Sequence, residues 1–372
     1  MASILLSHQP DKVHNSGVVV NPHKPPPHVT LLHDVSDHVE LSPSSGSVGF
    51  SNTNCIFKIP KEGYLQEMCL DLTYTESTAG GTFPNASWYL SAVNKVEFRV
   101  GSTTVYRIEN YREFINYALQ KMPEAKRANF YGLGNTDATN DGDNLLCPIW
   151  SPWSRMLNDD EGLPSFPCFA VDGDIELIVD FTSIADLEAS GTVDDALTGQ
   201  LLLERALVAD FDRKMAWTMK SVDVQSGPAR TGYTSSSTRN SESFISGSLQ
   251  ELFIYLTTDT VQTNLDYITT EIPADLQIYH SGTLVRDFSS DNAIKFHMMK
   301  YGFEENNQTA GGDCALISFS SHGKASNAGS GFKVSRGTVE VALVASAAAY
   351  GRVYGIVSAT YAIKDGRLIK MI

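Results

Sequence analysis

The sequence predicts an all-β protein in which one sandwich-type unit occurs twice, and three observations predict it. Gly63 to Thr73 (Gly-Tyr-Leu-Gln-Glu-Met-Cys-Leu-Asp-Leu-Thr) returns as Gly247 to Thr257 (Gly-Ser-Leu-Gln-Glu-Leu-Phe-Ile-Tyr-Leu-Thr), 247 − 63 = 184 residues later. Both copies start from a glycine and place apolar residues two apart, Met68, Leu70, Leu72 and Tyr74 against Leu252, Ile254 and Leu256, which is the period of a half-buried strand. Next, Val96, Phe98 and Val100 alternate with Lys95, Glu97 and Arg99 before a Gly-Ser-Thr turn; Leu276 and Ile278 alternate with Asp275, Gln277 and Tyr279 before Ser-Gly-Thr, at 276 − 96 = 180. Finally, Ile175 to Val179 is answered by Val339 to Leu343, at 339 − 175 = 164. A single match of this kind is weak, because alternating strands resemble one another for physical reasons. Three in the same order, about one domain of chain apart, predict a duplication.

Composition fits two folded units. The chain has 372 residues, 42% hydrophobic and 19% charged, enough apolar material for two ordinary cores. Its 28 Lys plus Arg against 43 Asp plus Glu give a net charge of −15, which opposes a phosphate backbone at long range, so no direct nucleic-acid binding is expected. Cys55, Cys69, Cys147, Cys168 and Cys314 are odd in number, scattered and without a Cys-x-x-Cys pair; free buried thiols made in a reducing compartment are expected. The first residues lack a basic region and an apolar core, and the run Val339 to Tyr350 is interrupted by Glu340 and Ser346, so neither a signal peptide nor a spanning helix is expected. The sequons at Asn85 and Asn307 are then chance matches.

In chain order, residues 1–45 read as an extended arm, with Pro25 to Pro27 and six of the nine histidines at positions 8, 14, 23, 28, 33 and 38. Gaps of that size in irregular chain preorganise no metal-ligand set. Lys12 and Lys24 stand against Asp11, Asp34, Asp37 and Glu40, too few cations for a genome-binding arm. Residues 46–212 are the first β unit. Its one clear helix is Tyr111 to Met122, with Asn110 and Glu113 as a capping-box-like pair, Phe114, Ala118 and Met122 as a stripe facing a sheet, and Pro123 as the stop. Asn135 to Asn144 superficially resembles a calcium loop through Asp137, Thr139, Asp141, Gly142 and Asp143, but Pro148 stands where the bidentate Glu belongs, so an exposed turn is expected. Cys147-Pro-Ile-Trp-Ser-Pro-Trp and Leu163-Pro-Ser-Phe-Pro-Cys-Phe lead to a strand from Asp174 to Phe181 and suit a covered sheet end; a further strand covers Leu201 to Phe211. Residues 213–372 are the second unit, with a polar surface loop from Gln225 to Ser243, strands around Val353 to Ile363 and a tight Asp365-Gly366 hairpin turn.

Chemistry-bearing motifs are missing. Gly132-Leu-Gly134 is followed by Asn-Thr-Asp rather than a helix opening, and Ser321 to Lys324 matches Ser-x-x-Lys without companion motifs. His280, His297 and His322 lie on or beside strands and are expected to be structural. No catalytic, cofactor-binding or metal residue is assigned, and no enzyme activity or cofactor is expected. The competing class is a carbohydrate-binding or carbohydrate-cleaving tandem β-sandwich, in which Trp88, Trp150, Trp153 and Trp217 would stack on sugars.

Gly63 to Thr75, Val93 to Tyr106, Cys147-Pro-Ile-Trp followed by Leu163-Pro and Asp174 to Phe181, with Gly247 to Thr257 and Thr338 to Leu343 in the second unit, resemble the double jelly-roll major capsid proteins of tailless icosahedral double-stranded DNA viruses. That group includes internal-membrane bacteriophages, adenoviruses and large eukaryotic DNA viruses, and the chain is similar to a compact member. The resemblance implies two tandem eight-stranded jelly rolls behind an N-terminal arm, with few short helices. It also implies a homotrimer of pseudo-hexagonal outline that tiles an icosahedral virion shell. The implied partners are neighbouring trimers, minor capsid and vertex proteins, and an internal membrane under the shell that the arm would approach without spanning.

Overall fold

The computed structural model describes residues 18–19, 30–75, 88–122, 144–154, 165–187, 196–210, 217–231, 239–242, 245–257, 271–301, 314–319, 331–334, 338–345 and 350–371. The first half contains β1 (Val18–Val19), β2 (Thr30–Leu41), β3 (Cys55–Ile59), β4 (Tyr64–Thr75), β5 (Val93–Val100), β6 (Thr103–Ile108), helix α1 (Tyr111–Lys121), β7 (Asn144–Pro148), β8 (Phe166–Pro167), β9 (Ile175–Phe181) and β10 (Ala196–Asp210). The second contains β11 (Trp217–Ser226), β12 (Arg230–Thr231), β13 (Arg239–Glu242), β14 (Gly247–Thr257), β15 (Asp275–His280), β16 (Thr283–Phe288), helix α2 (Asp291–Lys300), β17 (Ala315–Ser318), β18 (Phe332–Val334), β19 (Val339–Val344), β20 (Tyr350–Lys364) and β21 (Arg367–Met371).

Each half forms two sheets, and their orders correspond strand for strand. One pair runs β2-β10-β4-β7 and β11-β20-β14-β17, the other β3-β9-β5-β6 and β13-β19-β15-β16. One short addition agrees too, since β8 pairs β4 as β18 pairs β14, while β1, β12 and β21 join the second unit's sheet without a counterpart in the first. Two four-stranded antiparallel layers in this order, closed over one core, are an eight-stranded jelly roll. The three sequence matches therefore fall on equivalent strands: β4 with β14, β5 with β15, β9 with β19.

The shared Gly-x-Leu-Gln-Glu has a backbone reason. Gly63 and Gly247 both have positive φ, +69° and +102°, and a β-carbon on Gly63 would collide with the Ala206 carbonyl oxygen. Three residues on, both ladders carry a bulge. Leu65 pairs Arg205 and Glu67 pairs Glu204, leaving Gln66 unopposed; Leu249 pairs Val357 and Glu251 pairs Ile356, leaving Gln250 unopposed. The extra residue bends each long strand at the same place.

Three elements differ from the sequence expectations. Residues 225–243, read as one polar surface loop, contain the end of β11, β12 paired with β20 and β13 paired with β19. Residues 30–41, placed in the arm with the Pro25 to Pro27 run and the histidines, form β2, an edge strand paired with β10 from Leu41↔Leu201 to Thr30↔Asp210. An edge strand does not need the continuous apolar alternation that marks a central one. Helix α2 was not expected at all. It follows its hairpin as α1 does, at 291 − 111 = 180, and Ser290 caps it by accepting from the Ala293 N–H at 3.2 Å. The Asp365-Gly366 turn is as expected, both residues having positive φ, as a two-residue hairpin of right-handed twist requires.

Candidate functional site at the junction of the two sandwiches

Helix α1 is buried along its whole length except Lys121. An amphipathic helix on a sheet leaves a solvated face; this one has none, because the first sandwich covers one side and the second the other. On the first side, Phe114 meets Trp150 with ring centroids 5.2 Å apart, and Tyr111 donates to the Pro148 carbonyl at 2.7 Å while accepting from the Trp150 N–H at 2.6 Å. Behind them Trp153, Phe166, Phe98 and Tyr106 pack edge-to-face or stacked. The proline- and tryptophan-rich passage is thus the covered sheet end expected, and its cover is α1.

On the second side, Phe114 and Tyr117 meet Phe253 of β14, at 6.3 and 5.6 Å, and Phe114 meets Tyr354 of β20 at 5.7 Å. Polar groups fix the register. The fully buried Glu113 carboxylate accepts from Arg352 Nε at 2.8 Å, Tyr350 at 2.8 Å and Tyr354 at 2.7 Å. Arg352 spends its remaining donors on the Gly227 carbonyl and the Tyr350 hydroxyl. One turn on, Tyr117 donates to Glu251 at 2.6 Å and Lys121 lies 3.1 Å from the same carboxylate. Gln120 exchanges hydrogen bonds with the Cys314 backbone, donating at 2.7 Å and accepting at 3.3 Å. Burial pushes the Tyr354 hydroxyl well above its ordinary range, and the Glu113 charge adds to that. A carboxylate in such a place is tolerated because both its oxygens have donors, one of them the Arg352 guanidinium.

The capping-box expectation is corrected by this network. The Asn110 side chain makes no cap bond, and Glu113 turns away from the helix terminus to meet Arg352. A second seam lies beside the first: β6 packs on β11 and β21, Tyr361 donates to the Val105 carbonyl at 2.5 Å, and the Asp172 N–H donates to the Gly366 carbonyl at 2.8 Å.

Among the described residues, the charged side chains of the junction, Glu113, Arg352, Glu251 and Lys121, are each held by hydrogen-bond partners. Among the described residues no three His, Cys, Asp or Glu side chains are grouped to hold a metal. All five cysteines are free thiols; burial pushes Cys55 up to about 11 and Cys147 and Cys168 up to about 12. His297 is structural, its Nε2 accepting from the Ser318 N–H at 3.1 Å, and the His280 ring packs edge-on against Phe332. Trp88, Trp150 and Trp153 are buried, so none presents a face to a sugar. The arm histidines up to His28, the 135–143 loop, His322 and the 321–324 motif, and the Trp217 side chain lie outside the described residues. The residues that matter most here, Tyr350, Arg352 and Tyr354, carried no local signal.

No protein-family model matches the sequence, and no curated protein matches it. Solved structures do match. PBCV-1 VP54, in a crystal structure fitted into a reconstruction of the virophage Sputnik, is similar with a TM-score of 0.70 at 11% identity, over 91% of this chain and 96% of that one. The chain is a double jelly roll. The Faustovirus major capsid protein is similar at TM-score 0.61 and 9% identity over 98% of both chains, and the mavirus major capsid protein at 0.57 and 8% over 90% of both. In each comparison the double jelly roll is matched across both sandwiches rather than one.

Proposed function

We propose that this double jelly roll is the major capsid protein of an icosahedral virion, a structural shell protein with no catalytic role. The observation that carries the proposal is the buried junction: two sandwiches of one topology are locked side by side through α1. Three such chains about a threefold axis would present six near-equivalent wedges and fill a hexagonal lattice position. The likeness to major capsid proteins over nearly the full length of both chains supports it. So does the net charge of −15, which suits a shell facing away from direct nucleic-acid contact.

The division into an arm, a first sandwich and a second beginning near residue 213 belongs to this proposal, with the arm ending before β2. Val18–Val19 pairs in parallel with Trp217–Thr218 at the edge of the second sandwich, and the arm beyond that point would reach neighbouring capsomers or a membrane beneath the shell. Minor capsid and vertex proteins are the remaining partners. The test is the mass of the purified chain by sedimentation, then negative-stain electron microscopy. A particle of about three times 40.6 kDa with a hexagonal outline is expected; a monomer at micromolar concentration would overturn the proposal.

A further inference from the structure

The two sandwiches differ at one sheet edge. In the second, β11 stands at the end of its sheet, and Val18–Val19 of the same chain pairs with it in parallel and covers its edge at Trp217 and Thr218. The equivalent strand of the first sandwich is β2. It pairs with β10 in unbroken register from Ser36↔Ala206 to Leu41↔Leu201, and no strand lies on its other side among the described residues. The row of backbone N–H and C=O groups on such an edge is a template for another extended segment, which proteins blunt with Lys, Pro or a cover. β2 contains neither Lys nor Pro. It also stands on an outer flank of the molecule: the junction is built on α1, which Tyr111 bonds to Pro148 of β7, and β2 is the strand farthest from β7 in that sheet.

A segment that fits this edge is present in the chain. Residues 1–17 precede β1, and among them Ala2 to Gln9 (Ala-Ser-Ile-Leu-Leu-Ser-His-Gln) holds the one run of three apolar residues, Ile4 to Leu6. Pro10 follows, where a paired strand would end. The eight residues from Pro10 to Gly17 form a tether of at most ~26–29 Å when fully extended, anchored where β1 holds the second sandwich. Charge selects this segment over a second β2. The sequence of β2 includes Asp34, Asp37 and Glu40, so two such edges would set like charges side by side, whereas Ala2 to Gln9 contains no acidic residue.

We infer that Ala2 to Gln9 of one copy adds to the open edge of β2 in a neighbouring copy as a further strand. This rests on the shell-protein proposal above and deepens it: of the two destinations given there for the arm, neighbouring capsomers and a membrane, it selects the first and names the edge that receives it. Main-chain hydrogen bonds carry the affinity, as in other cases where an extended segment completes a sheet. Arm and edge are unlike surfaces, so the contact links copies head to tail.

The test uses the full chain throughout. A Leu5→Cys chain and a His38→Cys chain, the second altered at an exposed position of β2, are mixed at micromolar concentration and treated with a short bismaleimide. A cross-linked pair of two chains is expected, roughly tenfold above the background set in wild type by the half-buried Cys69. Adding Ile4→Pro and Leu6→Pro to the Leu5→Cys chain should abolish the pair, because proline supplies no N–H to a ladder. The same two prolines in an otherwise wild-type chain should leave its circular dichroism spectrum unchanged and prevent shells from forming. A chain carrying both cysteines that links only within itself would place the arm on its own edge and overturn the inference. So would a mixture that cross-links no more than wild type, or one indifferent to the prolines. The shell-protein proposal is read separately, by sedimentation of wild type: a monomer overturns that proposal, while a trimer whose mixture does not cross-link overturns the arm contact and leaves that proposal standing.

Discussion

Replacing Glu113 by Met tests the junction where it is most exposed to refutation. The fully buried carboxylate has three donors, and its loss leaves the Arg352 guanidinium buried with the Gly227 carbonyl and Tyr350 hydroxyl as its acceptors. Breaking a buried ion pair by removing one partner costs about 3–5 kcal/mol. The hydroxyls of Tyr350 and Tyr354 lose their acceptor as well, at about 1–3 kcal/mol for a stranded buried donor, which places the variant toward the upper end. Arg352→Met in the same background removes the stranded charge and gives two unbranched apolar side chains of similar length. The double variant should then be less destabilised than the sum of the singles, by a coupling of about 0.5–3 kcal/mol. Urea unfolding followed by both tryptophan fluorescence and circular dichroism measures this. Three of the four tryptophans, Trp88, Trp150 and Trp153, lie in the first sandwich, so fluorescence reports mainly that half and the two probes should separate in Glu113→Met as the halves lose their coupling. A single-variant cost below about 1 kcal/mol, or additivity within about 0.5 kcal/mol, would refute the role given to the network.

Three further outcomes are expected. Burial pushes His297 down to about 4 from 6.5, with Arg286 and Lys300 adding to it. The unfolded chain therefore binds the extra proton first, and this site's stabilisation is full above pH 6.5 and lost as pH falls toward 4. The urea midpoint of His297→Gln should fall less than that of wild type between pH 7 and pH 5; equal slopes would contradict it. Gly63→Ala should destabilise by more than the ~1–2 kcal/mol of a left-handed β-carbon, because the rigid Ala206 carbonyl blocks it, whereas Gly247→Ala meets only a Val357 methyl at 2.8 Å; thermal melts giving the reverse order would sink this comparison. A chain starting at Thr30 should keep β2, sediment in the same oligomeric state as the full chain and fail to form shells under the electron microscope; normal particles would remove the arm from assembly.

The fold was legible because strands announce themselves by side-chain alternation, and the three repeated strands are central ones with a buried face. What stayed hidden was either peripheral or non-local. Strand β2 sits at a sheet edge after a proline run, and α2 buries Ile294 and Met298 but turns Phe296 and Met299 outward, so its pattern does not resemble a core-facing helix. Glu113 was misread because its spacing from Asn110 fits a local motif, while its real partners lie 237 to 241 residues away. No spacing rule reaches that distance. The junction became visible only when both sandwiches were placed.

The same duplication explains which residues the copies still share. Gly-x-Leu-Gln-Glu is retained where the demand is internal to each sandwich, a positive-φ glycine and a bulge at glutamine, and those demands did not change when the unit was copied. Outward positions diverged because their surroundings did. Glu67 is half-buried and accepts from Ser154 at 2.5 Å, whereas its counterpart Glu251 is fully buried between Tyr117 and Lys121. Two residues further, Cys69 faces outward in β4 where Phe253 packs on α1 in β14, and Asp71 answers to Tyr255. An aromatic ring is worth burying only where a partner is permanently present. The aromatic copy therefore belongs to a face that α1 covers within the same chain, and the polar copy to a face that α1 does not reach.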